Sequence, residues 1–168
     1  MFSLRKVESG DVPFLYLLMN REEIRAVLHE EPTTLISWEE TFREWKRDRD
    51  EENYIILEDS LPVGWIGVNN LLSEDKIPYI KMAAVIPEKQ NYGVGEYGVQ
   101  RVVKSLKMRG YKAVRLYTDR NNMRAQRCYK KCGFSPVKKE KEDYGKRLMM
   151  QCSLEDSPKS RLDTERDD

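Results

Sequence analysis

Ile80-Lys81-Met82-Ala83-Ala84-Val85-Ile86-Pro87 runs into Gln90-Asn91-Tyr92-Gly93-Val94-Gly95. Farther on, Asn122-Met123-Arg124-Ala125-Gln126-Arg127-Cys128-Tyr129 precedes Cys132-Gly133-Phe134. The first stretch is a short apolar strand that ends at proline and delivers two glycines to the mouth of a helix. Gly93 and Gly95 let backbone N–H groups meet phosphate oxygens with no Cβ in the way, and the helix N-terminus adds a favourable dipole. Gln90 offers a further side-chain donor. A glycine turn needed only for tight geometry would give the same residues. In the second stretch Asn122 and Tyr129 are seven apart, two helical turns, so an amide and a phenol share one face. Together the two stretches point to group transfer from a phosphate-bearing carrier, with coenzyme A the leading choice.

Working outward, residues 3–7 read as a first strand. Helical spacing follows over residues 11–18, where Phe14, Leu15, Leu17 and Leu18 form an apolar face. Ser37 and Glu40 form a capping-box pattern that predicts a second helix over 38–49, with Trp38, Phe42 and Trp45 as its core stripe. Residues 53–58 and 62–70 predict a hairpin around Asp59-Ser60, and a longer turn at 72–76 returns the chain into 77–86 as a third antiparallel strand. A helix over 95–108 stops at Gly110, and a strand over 113–118 follows, parallel to its predecessor because a helix intervenes. Asn122 caps a helix that closes at Gly133. Residues 135–139 and 147–154 finish as a hairpin. The fold class is therefore α/β (α+β): a mixed, mostly antiparallel sheet of about seven strands with about four helices.

The 168 residues suit one domain, assigned to 1–154, with a polar tail over 155–168 expected to be disordered. Hydrophobic residues at 39% and charged residues at 35% describe a soluble chain. No 18-residue apolar run and no cationic segment leading into an apolar one is present, so neither a membrane span nor a secretion signal is expected. The three cysteines are too few and too odd for a disulfide framework and read as reduced cytoplasmic thiols. Cys128 and Cys132 lie one helical turn apart, but no further Cys or nearby His completes a zinc site, and no metal is expected. Net charge is only +1, yet thirteen acids face six bases over residues 20–59, and seventeen bases face six acids over 86–151. A basic half suits a polyanionic carrier and an acidic half a cationic substrate, although solvated helix faces account for most of these charges.

Gly93-Val94-Gly95-Glu96-Tyr97-Gly98 also matches the dinucleotide fingerprint G-x-G-x-x-G, with Asp119 about twenty residues on. Six residues separate the strand from its first glycine, that strand belongs to an antiparallel meander, and only one βαβ unit is present. A nicotinamide site is therefore set aside. Arg124, Arg127, Lys130 and Lys131 crowd one helix without interleaved aromatics, which argues against nucleic acid.

Taken together, Ala84-Val85-x-Pro, Gln-x-x-Gly-x-Gly and Asn-x-x-Ala-x-x-x-Tyr-x-x-x-Gly-Phe resemble the GCN5-related N-acetyltransferase (GNAT) superfamily. Arg21 and Arg25 at an Arg-rich end of helix one, Trp38-Glu39-Glu40 and Gly64-Trp65-Ile66-Gly67 extend the likeness. It is similar to the branch holding ribosomal-protein N-terminal, polyamine and aminoglycoside acetyltransferases, over about residues 3–154. The resemblance implies a sheet splayed at its centre and direct transfer of acetyl from acetyl-CoA to a primary amine. The alternative is a non-catalytic acyl-CoA-binding module of the same fold, against which an intact Tyr129 argues.

By that resemblance Met82, Ala83, Ala84 and Val85 line the pantetheine arm, and the Val85 N–H polarises the thioester carbonyl. Gln90, Asn91, Tyr92, Gly93, Val94, Gly95 and Glu96 form the pyrophosphate loop. Asn122 meets the arm or its neighbouring backbone, and Tyr129 protonates the departing thiolate. A phenol of pKa ~10 can do so without being ionised at neutral pH, while a packing role would also fit that position. Glu96, Tyr97 and Gly98 place an acid and another glycine in the first helical turn, where many relatives carry small residues, and Lys81 with two alanines leaves no general base on the strand before the loop. His29, Glu30 and Glu31, between the first two predicted helices, are the candidates to receive the amine's proton; a water relay would serve equally. Tyr54, Asn69 and Tyr144 either line the cleft or pack. The partners expected are acetyl-CoA and a cationic amine, with no nucleic acid and no membrane, in a cytoplasmic monomer or homodimer.

Overall fold

Seven strands form a single sheet in the order β1-β2-β3-β4-β5-β7-β6 in the computed structural model, which describes residues 1–142 and 145–156. The strands are β1 (Phe2–Lys6), β2 (Glu52–Glu58), β3 (Leu61–Asn69), β4 (Tyr79–Val85), β5 (Ala113–Asp119), β6 (Ser135–Glu142) and β7 (Gly145–Ser153). Every neighbouring pair is antiparallel except β4 and β5, which are parallel. The α/β architecture and the seven expected strands are present. Tyr144 and residues 157–168 lie outside the described residues; Asp156, at the start of the expected tail, pairs with Lys107 at 3.4 Å.

The β2–β3 hairpin turns on Asp59 and Ser60, both at positive φ (48° and 70°), which matches the right-handed twist of the flanking strands. Every residue from Val63 to Val68 is buried, because helices cover both faces of β3. Among the described residues the two faces of the sheet carry five α-helices, where about four were expected: α1 (Val12–Met19), α2 (Glu22–Leu28), α3 (Leu35–Arg47), α4 (Val94–Met108) and α5 (Met123–Lys131). The extra one arises where a single Arg-rich helix end was expected. The Asn20 carboxamide donates to Tyr16 O (2.8 Å) and to Thr33 Oγ1 (2.8 Å), and its oxygen accepts the Thr33 N–H (2.8 Å). That side chain competes with helix propagation and stitches the end of α1 to the loop beyond α2. Arg21 is then extended and α2 begins afresh.

A second correction concerns α3, whose capping box is Thr34 with Ser37, three residues upstream of the pattern Ser37 and Glu40 present. Thr34 Oγ1 accepts the Ser37 N–H at 3.1 Å. Trp38 and Phe42 are buried as their spacing implies, and the rings of Trp38, Trp45 and Trp65 lie 5.4–6.1 Å apart, centroid to centroid. One core, around Ile66, Leu106, Leu116 and Met150, lies under α4 and α5. The other, around Leu15, Ile55, Trp65 and Ala84, lies under α1 to α3. The sheet between them is the scaffold on which the site is cut.

Candidate active site

The sheet parts in its middle. β4 and β5 pair only at Tyr79 with Arg115, and beyond that point the strands diverge. On its other side β4 stays in register with β3 from Met82 to Val85. Ile86 donates its N–H to Val63 O at 2.9 Å, so by antiparallel alternation Ala84 also faces β3, and the peptide groups of Ala83 and Val85 face the opening. The crevice encloses about 590 Å³ between β4, β5, the loop before α4, the start of α5 and the end of α2.

One wall is the glycine loop. Asn91 (φ 69°) and Gly93 (φ 84°) are both left-handed, and the chain turns there into α4. Gly93 is the N-cap, with no side chain bonded across the helix start. The first helical bond runs from Tyr97 N–H to Gly93 O (3.0 Å), which leaves the Val94, Gly95 and Glu96 amides ahead of the ladder. A Cβ at Gly93 would meet nothing within 4 Å, and one at Gly95 only Val85 Cγ2 at 3.7 Å. The loop is therefore open on its crevice side. Gly98 differs, since a Cβ there would stand 2.7 Å from Ile56 Cδ1. The third glycine of the apparent dinucleotide motif lets α4 settle on the sheet and lies outside the crevice lining. Gln90 turns back, and its Nε2 donates to Val85 O at 3.1 Å. Glu88 holds Arg21 at 2.8 Å, and Lys89 holds Glu58 at 2.9 Å, so exposed ion pairs brace the loop on two sides.

The opposite wall is α5. Asn122 Oδ1 accepts the Ala125 N–H at 3.2 Å and starts the helix. Tyr129 lies two turns on, its ring 6.0 Å from Phe134. Burial pushes the Tyr129 phenol well above its ordinary pKa, and the neighbouring Cys128 and Cys132 push in the same direction, so the hydroxyl keeps its proton at neutral pH. Cys128 also lines the crevice.

At the far end the crevice is acidic. Glu30, just beyond α2, and Asp119, at the tip of β5, both line it there, while Glu23, at the start of α2, lines the crevice beside Arg21, 3.5 Å away. His29 ends α2 in a left-handed conformation (φ 55°), and its Nε2 lies 2.8 Å from Asp119 Oδ2. Asp119 Oδ1 accepts the Asn121 N–H at 2.8 Å; that bond and His29 hold its carboxyl below the usual range. Arg147 lies over the Tyr117 ring at 3.7 Å on the same side. Lys89, Arg124, Arg127 and Lys131 line the loop and α5. The acid-rich and base-rich stretches of the sequence thus both reach one cavity: Glu23 and Glu30 come from the first, Lys89, Arg124, Arg127 and Lys131 from the second, and Asp119 and Glu96 are acids that the second contributes.

Met82, Ala83, Ala84, Val85, Gln90, Asn91, Gly93, Val94, Gly95, Glu96, Asn122, Tyr129, His29 and Glu30 all border the crevice. Tyr92, 73% exposed, is not part of the lining, and Glu31 is exposed outside it. Tyr54 donates its hydroxyl to Glu52 at 2.9 Å on another part of the sheet, and Asn69 is also outside the lining. Asp119, Tyr117 and Glu23 are wall residues that sequence reasoning missed. The available signal was Asp119 at the C-terminal tip of a strand parallel to β4, where open sheets present ligand-binding groups. Among the described residues, no three or more His, Cys, Asp and Glu side chains gather to hold a metal ion.

The sequence model of the acetyltransferase (GNAT) family matches residues 15–134. Among curated proteins, none matches the chain at the level of sequence. The fold is similar to that of the spermidine N-acetyltransferase from Vibrio cholerae, crystallised with CoA and spermine (20% identity, TM-score 0.84, 91% of this chain and 95% of that one). It is also similar to aminoglycoside acetyltransferase AAC(6')-Ib in complex with coenzyme A (20%, 0.78, 91% and 95%). A third likeness is to a domain from Methanocaldococcus jannaschii (22%, 0.76, 91% and 98%).

Proposed function

The chain belongs to the GNAT acetyltransferase family, whose reaction is acetyl-CoA-dependent N-acetylation, and from that premise we propose that it acetylates a cationic primary amine in the crevice between β4 and β5. The observation that carries this reading is the set of groups on the crevice walls. Inward peptide groups of β4, first-turn amides of α4 and a protonated phenol on α5 all face one space.

The parts fit the cosubstrate. Gly93 and Gly95 leave the amides of Val94, Gly95 and Glu96 open to a diphosphate, and Lys89, Arg124, Arg127 and Lys131 add positive charge around them. Acetyl-CoA supplies an activated acetyl thioester. The Val85 N–H serves as the donor for the carbonyl oxygen as charge develops on it. Tyr129 gives its phenolic proton to the departing sulfur, a role for which its raised pKa keeps it armed. Asn122 spends its oxygen on the helix cap and keeps its amide nitrogen for the carrier arm.

The acceptor enters from the acidic end. Glu23, Glu30 and Asp119 favour a polyamine, an aminoglycoside or a peptide N-terminus over a neutral amine. An ammonium of pKa ~10.4 must lose a proton before it attacks, and His29, held at Asp119, is the imidazole placed to take it. This acidic end also supports placement beside the ribosomal-protein, polyamine and aminoglycoside acetyltransferases. Three free thiols suit work in the reducing cytoplasm.

Incubation with acetyl-CoA and a panel of amines, with thiol release as readout, tests the reading. Release should depend on a cationic amine. Tight acetyl-CoA binding with no release across the panel would point instead to a non-catalytic acyl-CoA-binding module.

A further inference from the structure

Lys81 interrupts β4 just where the sheet begins to part. Val68 pairs with Ile80 and Gly67 with Met82, so Lys81 is the extra residue of a β-bulge. Ile80 packs in the core under α4 and α5, whereas Met82 packs against the other core, and the bulge turns Lys81 to that second face as well. Its ammonium forms an ion pair with Glu51 and lies 4.8 Å from the Trp45 ring centroid and 5.6 Å from that of Trp65. The seat is built for it. Trp65 Nε1 donates to Asn53 Oδ1 at 3.0 Å, and Asn53 Nδ2 donates to Glu51 Oε1 at 3.2 Å, which fixes the carboxylate. Gly67 is required beneath the stem, because a Cβ there would stand 2.7 Å from Lys81 Cε and 2.5 Å from Asn53 Oδ1.

The position of the bulge matters more than its chemistry. Tyr79, on its near side, is the β4 residue that pairs with β5; residues 82–85, on its far side, run free of β5 and line the crevice. A bulge bends its strand and raises the local twist, which carries the far side away from its former neighbour. A half-buried cation held by a carboxylate and two indoles gives that bend one geometry.

We propose that Lys81 is a positioning residue: anchored to Glu51 beside the Trp45 and Trp65 rings, it sets the width of the β4–β5 crevice and so the grip on the acetyl-CoA arm. The inference rests on the function proposed above, and it acts through backbone that meets the cosubstrate, not through contact with the reacting atoms.

The test compares Lys81→Met, Lys81→Arg and Gly67→Ala with the wild type. Calorimetry with coenzyme A, steady-state kinetics, thermal midpoints and amide hydrogen exchange of residues 82–85 in the unliganded protein are the readouts. Lys81→Met and Gly67→Ala should raise the Kd for coenzyme A and the KM for acetyl-CoA roughly tenfold, since a small misplacement of a binding wall is costly. Their kcat at saturation should stay within about threefold, the sign of lost binding rather than lost chemistry. The Ala83 and Val85 amides should exchange faster, and Lys81→Arg should recover most of the affinity. Unchanged affinity and exchange in Lys81→Met would overturn the proposal. So would kcat and KM moving in step with a fallen thermal midpoint and no recovery by arginine, which marks a packing role alone. A wild type that binds no coenzyme A would sink the proposed function, and the exchange comparison would still decide the role of Lys81.

Discussion

The two ends of the crevice are built in different ways. The loop-and-helix end comes from nearly continuous chain, residues 82–96 and 122–129, and its parts are backbone amides and one helix face. The acidic end gathers His29 and Glu30 from the end of α2 and Asp119 from β5; His29 and Asp119 are ninety residues apart. A site made of local geometry resists change in its neighbours. One made of long-range contacts depends on the whole sheet and on how α2 docks. Cofactor grip and acceptor choice are therefore separable, and each can be broken with the other left standing.

The largest effect should come from the chemistry both ends serve. Tyr129→Phe should lower kcat by about a hundredfold or more, the usual yield of a positioned general acid. Coenzyme A affinity by calorimetry should stay within about twofold of wild type, since the hydroxyl adds little to ground-state binding. Unchanged turnover would remove Tyr129 from the mechanism.

The two glycines of the loop sharpen the contrast between binding and packing. Gly93→Ala puts a side chain on a left-handed residue facing open space, so KM for acetyl-CoA should rise about tenfold with a loss of about 1 kcal/mol in stability. Gly98→Ala drives a methyl against Ile56 in a filled core, so denaturant unfolding should show a loss of about 1–3 kcal/mol. If both variants behave alike, the loop is not the phosphate grip.

At the acidic end, Asp119→Asn should raise KM for the amine by about tenfold through the loss of an orienting charge on His29, with acetyl-CoA KM unmoved. Steady-state kinetics with each substrate varied in turn separates the two.

The smallest effect is on stability. Burial pushes Lys81 down to about 8, opposed by the charge of Asp48, whereas an unfolded lysine titrates near ~10.4. Between those values the unfolded chain binds the extra proton, so stability should rise with pH across that window. Tyr54 works the other way: burial and then Glu52 raise it to about 12, so its contribution falls away only above the ordinary phenol range. Urea midpoints at pH 8 and 10 should therefore increase in the wild type and rise less in Lys81→Met.

Legibility followed the same division. The seven strands, the parallel β4–β5 pair and the Asn122-to-Tyr129 helix were readable because each depends on spacing within a few residues. Thr34 as the cap of α3 was displaced by a rival pattern three residues on, since Ser37 serves equally well at either end of a capping box. The break between α1 and α2 was hidden because Asn20 makes its decisive bonds to Thr33, thirteen residues away. His29 could be nominated from its position in the chain. Asp119 stands at a legible strand tip, but its pairing with His29 was not readable, because no local spacing relates the tip of one strand to the end of a helix on another layer. The bulge at Lys81 was equally silent: it is defined by register against β3, which the sequence of β4 does not carry.

The strand order has a consequence for biosynthesis. β7 is translated last yet lies between β5 and β6, and β5 is bridged to β4 at one residue pair only. A nascent chain that has not yet released residues 145–153 from the ribosome leaves Val114 and Leu116 on a strand with almost no neighbour. The first four strands can assemble early, but the wall that carries Asp119 is locked only at the close of translation. Premature termination before β7 should yield an aggregation-prone fragment rather than a weakened enzyme.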